Sequence, residues 1–145
     1  MLSVSPARPV VAADVCTTVR TLVDHAPSGF AGIAGTPGDR SGGGVALALP
    51  GAERCDVTAQ LDGKAYHCVW KYPYRSEAAS AAFSELARAI ERCVGDGATV
   101  RNDPRVNHPD SYDLRVYELE RATVSVSVKD KVALDGTFLF VRVSP

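Results

Sequence analysis

The chain has 145 residues, 46% of them hydrophobic and 23% charged, with a net charge of −1 and a pI near 6.3. Such a balance suits a globular protein with an ordinary core and argues against a nucleic-acid or anionic-membrane partner. No apolar run approaches the ~20 residues of a membrane span, so no membrane insertion is expected.

Residues 1–12, with Pro6 and Pro9, read as a disordered tail or the remnant of a signal peptide, and 13–145 as a single α+β domain. Val11-Ala12-Ala13 resembles the small-residue end of a cleavage site, although no apolar segment precedes it. A first helix is expected from residue 13 or 14 to 26, with Asp14 as N-cap and Pro27 as stop. Val15, Val19, Leu22, Val23 and Ala26 form its apolar stripe, with Cys16 beside it. Thr17, Thr18 and Thr21 are poor helix formers, so packing must hold this helix. Phe30 and Ile33 follow as a turn folded back on the core.

The glycine-rich stretch 35–44 is read as a connector. It lacks the lysine and hydroxyl residue that would make it a phosphate loop, and nothing places Ser41 on a nucleophile elbow. A strand is expected at 45–49. A hairpin then spans 55–60 and 64–72 around the Asp62-Gly63 turn signal. If 60–63 form the loop, Ala59 faces Lys64 and Cys55 faces Cys68, on the side that also carries Val57, Tyr66, Trp70 and Tyr72.

A second helix is expected at 76–94, with Ser76 as N-cap, Gly95 as a left-handed stop and an apolar stripe of Ala79, Ala82, Phe83, Leu86, Ile90 and Cys93. A short strand at 98–101 leads into a loop over 102–111. Three more strands close the chain, around 112–116, 124–128 and 137–143. The last is nearly all apolar and is expected to be central and covered on both faces. The fold class is therefore α+β, with two helices packed on one face of a mostly antiparallel sheet in the order α-βββ-α-βββ(β).

The cysteines at 16, 55, 68 and 93 include no C-x-x-C pair and fit no zinc module, so no metal or cofactor is expected. Disulfides are preferred over buried thiols, paired Cys55–Cys68 on the hairpin and Cys16–Cys93 between the ends of antiparallel helices. Oxidised cysteines point to a secreted or periplasmic protein.

No catalytic motif is present. His108, with Asp103 or Asp110 in the same loop, is the one constellation able to do acid–base work, and it defines a small hydrolase as the alternative reading. The aromatic run Tyr72 and Tyr74 with Arg75 is the better binding candidate, joined by Arg105 and His108 in the long loop. The preferred reading is an exported, non-enzymatic domain that binds another protein, such as an inhibitor or an immunity protein. The helix–strand order is also similar to that of secretion chaperones that cradle effector proteins, which leaves a chaperone-like or structural accessory role as a further alternative. Paired disulfides argue against a cytosolic chaperone.

Overall fold

The computed structural model describes residues 12–33, 47–61, 63–96, 98–102, 105–107 and 110–145. Through them the chain runs α1 (Ala12–His25), β1 (Arg54–Gln60), β2 (Gly63–Tyr72), α2 (Glu77–Val94), β3 (Thr99–Asn102), β4 (Arg105–Asn107), β5 (Asp110–Glu118), β6 (Thr123–Lys131) and β7 (Gly136–Ser144). Short 3₁₀ turns follow α1 at Ala26–Ser28 and β6 at Val132–Leu134.

The strands form one sheet in the order β1-β2-β7-β6-β5-β3, with β4 also paired to β5, and every pairing is antiparallel. Both helices pack on one face. Val15, Val19 and Leu22 of α1 and Phe83, Leu86 and Ile90 of α2 share a buried cluster with the sheet. Its sheet residues include Tyr66, Cys68, Trp70, Tyr117, Val124, Val126, Leu139, Val141 and Val143. The alternation of a strand puts those residues on the same side. Two tyrosines tie this layer together. Tyr117 donates its hydroxyl to the Ala87 carbonyl of α2 at 3.1 Å, and Tyr66 donates to the Leu47 carbonyl at 2.7 Å. Burial pushes the Tyr66 hydroxyl up to about 12. Among the described residues the buried indole N–H of Trp70 finds no hydrogen-bond partner. None of the described helices is long and apolar enough to cross a membrane.

Both expected disulfides are present. Cys55 stands directly opposite Cys68 in the β1–β2 ladder, and Cys16 joins Cys93 across the helix pair with Cα atoms 5.3 Å apart. Ala59 pairs with Lys64 as expected, but Gln60 also pairs with Gly63, so only residues 61 and 62 separate the strands. Gly63 has φ of 127°, a conformation side chains rarely adopt, which moves the turn one residue ahead of the Asp-Gly signal.

Four other expectations are corrected. Asp14 lies in the first turn of α1 and is not its cap. Ser76 does cap α2, its hydroxyl accepting from the Ala79 N–H at 3.3 Å. Gly95, however, stays right-handed at φ −62°, and its N–H continues the helical pattern to the Glu91 carbonyl. Residues 47–49, the described end of the expected strand at 45–49, join no ladder. Leu49 is buried instead, and the Leu47 carbonyl is satisfied by a side chain. The stretch 102–111 is not one loop, because β4 and the start of β5 lie within it. Three residues of strand are too few for alternation to stand out in the sequence.

Phe30 sits at φ 62°, left-handed although not glycine, and is fully buried against Tyr66 with ring centroids 6.0 Å apart. Its N–H donates to the His25 carbonyl at 2.9 Å. Burying an aromatic ring contributes about 2–3 kcal/mol, enough to offset the ~1–2 kcal/mol of the strained backbone.

The two bridges close loops of very different length, with sequence separations of 13 and 77. In the chain-entropy treatment they contribute about 3 and about 4.5 kcal/mol. Urea unfolding of the Cys55→Ala/Cys68→Ala and Cys16→Ala/Cys93→Ala variants should therefore show the larger loss for the second. The reverse order would mean that the helix pair is held by packing and not by the bridge.

Candidate binding surface

Tyr72, Tyr74 and Arg75 do come together, at the corner where β2 turns into α2. Tyr72 is half-buried at the end of β2, on the helix side. Burial raises its pKa, and the nearby Glu85 carboxylate adds to that. Arg75 has φ of 53° and its guanidinium lies over the Tyr74 ring, 5.2 Å from the centroid. Its backbone N–H donates to the Thr137 hydroxyl at 2.8 Å, and that hydroxyl donates to Asp130 Oδ1 at 2.7 Å. Arg75 Nε lies 3.4 Å from Asp130 Oδ2. The corner is thus tied to β6 and β7, with the Arg75 side chain 51% exposed. Arg105 lies in β4 and Asp110 opens β5, with their side chains outside the described atoms, while Asp103 and His108 lie outside the described residues. Nothing described joins them to the Tyr72 corner.

The helix-free face of the sheet presents a different group. On β7 the helix side takes Thr137, Leu139, Val141 and Val143, all buried. The other side takes Phe138, Phe140 and Arg142, with Phe138 and Phe140 half-buried and Arg142 exposed. The strand is central, between β2 and β6, but it is covered on one face among the described residues. Register places Lys71, Phe138 and Lys129 in one row across the sheet. Arg54, Val69, Phe140 and Ser127 make the next, and Asp56, His67, Arg142 and Ser125 the one after.

Phe138 and Phe140 stack with centroids 6.2 Å apart and planes 22° apart. Lys71 Nζ lies 6.0 Å from the Phe138 centroid and Lys129 Nζ 5.8 Å from that of Phe140. Each such contact is worth about 0.5–1 kcal/mol at an exposed site. Arg54 Nε pairs with Asp56 Oδ2 at 2.6 Å along the sheet edge. Burial lowers the pKa of His67, Asp56 opposes that shift, and Arg142 and Arg54 add to it. Two shallow hollows, about 390 and 430 Å³, lie along β1 and β2 on this face, and both are lined by Arg54 and Val69. Leu134, 56% exposed, stands at the rim of the first.

The sequence held one signal for this surface. A strand whose odd and even positions are both apolar, flanked by strands with one polar face each, must leave one apolar row at the surface when only one helix layer exists. Phe138 and Phe140 are that row. His67 is the histidine that the described residues place on this face, and among them no three His, Cys, Asp or Glu side chains group to hold a metal. The fold and surface define an α+β domain with a two-helix layer and an open aromatic–cationic sheet face. No protein-family model matches the chain, and no curated protein matches it significantly.

Two measurements follow from this geometry. Thr137→Val leaves the Arg75 N–H and Asp130 short of a partner in a half-buried corner. Denaturant unfolding should show a loss of about 1–3 kcal/mol. For His67 the folded pKa lies below the unfolded value of about 6.5, so below neutrality the unfolded chain binds more protons. The stability His67 permits is complete above pH ~6.5 and is lost as pH falls from there through the folded pKa. His67→Gln should flatten the drop in urea midpoint between about pH 7.5 and 5.5. An unchanged drop would assign it to groups other than His67.

Proposed function

We propose that the protein is an exported, non-enzymatic domain that binds another protein, in the manner of an inhibitor or an immunity protein, through the open face of its sheet. The observation that carries this reading is the stacked Phe138–Phe140 pair, half-exposed and flanked by Lys71 and Lys129 on a face that no described helix covers. Aromatic side chains in a contiguous surface, ringed by charge, are what protein interfaces use as anchors. Export is supported by two disulfides and by the lack of free cysteine among the described residues. The Tyr72–Arg75 corner is left as scaffold, because its arginine is held from two sides by Thr137 and Asp130.

The test pairs binding with stability. Chemical cross-linking of the full chain in its native compartment should yield a discrete protein adduct. That adduct should disappear in Phe138→Ser/Phe140→Ser. Each half-buried Phe should cost less stability than Leu139→Ala, a core truncation expected at about 3 kcal/mol. An adduct that survives the double variant would remove the open face from the reading. Hydrolytic turnover lost in His108→Ala would replace it with the hydrolase.

A further inference from the structure

We propose that the open face takes an acidic, extended segment of its partner, laid along β1 and β2. This refines the protein-binding reading above and rests on it. Three observations converge on that occupant.

The first is the spacing of the hollows. One lies beside Lys71 and Phe138, the other beside His67 and Phe140, and Arg54 and Val69 belong to both. They are two halves of a single trough. Along β2 its wall steps from Lys71 to Val69 to His67, two residues at a time, or about 6.6–6.8 Å per step. A strand lying alongside repeats its inward side chains at that same interval, so alternate residues drop into successive hollows.

The second is the edge. Among the described residues β1 ends the sheet and pairs with β2 alone, leaving the outward backbone groups of one side unpaired in the ladder. An extended segment pairing there stands about 9–10 Å from β2, so its long alternate side chains lie over Arg54 and reach toward Val69.

The third is charge. The strands of this face carry Arg54, Lys71, Lys129, Lys131 and Arg142, in a chain whose net charge is −1. Against them among the described residues stand Asp56, already engaged by Arg54 at 2.6 Å, Glu118 on β5 and Glu53 at the rim of the first hollow. Lys71 and Arg142 have no carboxylate partner among the described residues. A segment alternating acidic with apolar side chains meets both the cations and the apolar floor. A second copy of this chain would bring like charge to like charge. Single-stranded nucleic acid needs bare ring faces for its bases, and both phenylalanines already carry a lysine ammonium group within 6.0 Å of the centroid.

The experiment titrates the full-length protein, followed by backbone amide shifts, with a synthetic peptide alternating Glu with Val and Tyr. The controls are its Gln-for-Glu copy, oligo-deoxythymidine and phosphatidylglycerol vesicles. The Glu peptide should move the amides of 54–58, 67–71 and 138–142. Its affinity should fall about tenfold in Lys71→Glu or Arg142→Glu, both at exposed positions, and comparably when salt rises from about 0.05 to 0.5 M. A Gln copy that binds this face equally well overturns the acidic preference and leaves protein binding standing. If neither peptide perturbs the face while the cross-linked adduct still depends on Phe138 and Phe140, the extended segment is wrong and the interface is not. If the adduct is also indifferent to those residues, both readings fail. Tighter binding of the oligonucleotide or the vesicles at the same amides overturns the choice of a protein partner.

Discussion

The Cys16–Cys93 bridge joins the start of α1 to the last turn of α2 across 77 residues. Much else depends on it. α1 is rich in threonine and valine, which lose rotamer freedom in a helix, so its helicity depends on being packed. Val15, Val19 and Leu22 are fully buried, and they are buried against α2 and the sheet together. The bridge keeps the first helix on the layer occupied by the second, and with both on one side the other side of the sheet has no described cover.

How much of this was legible varies with how many residues carry each signal. The faces of the hairpin were readable because Cys55, Val57, Tyr66, Cys68 and Trp70 alternate with polar residues, but its register was not, since a shift of two residues keeps the same faces. α2 was readable because seven of its residues are buried at helical spacing. β4 was not, since three residues between prolines carry no period. β7 was placed correctly as central, but among the described residues only one of its faces is covered. An apolar strand looks the same whether its second face meets a helix or a partner, and only the count of layers distinguishes them.

The site followed the same logic in reverse. An arginine beside tyrosines has the composition of an interface anchor, which is why Tyr72, Tyr74 and Arg75 stood out. Composition cannot report that Thr137 and Asp130, more than fifty residues away in sequence, hold that arginine's backbone and side chain. A second surface group, Lys71, Phe138 and Lys129, comes from three strands brought side by side by register alone. No local window contains them.

The order in which the cysteines occur has its own consequence for biogenesis. A chain that enters an oxidising compartment from its N-terminus presents Cys16 first, then Cys55 and Cys68, and only later Cys93. The hairpin bridge can close as soon as its short loop has emerged. Cys16 meanwhile must remain a thiol, or be recovered by exchange from a mistaken pairing with Cys55 or Cys68, until α2 arrives. Vectorial delivery into such a compartment would favour the inner bridge and delay the outer one, leaving the longer-range constraint to thiol–disulfide exchange.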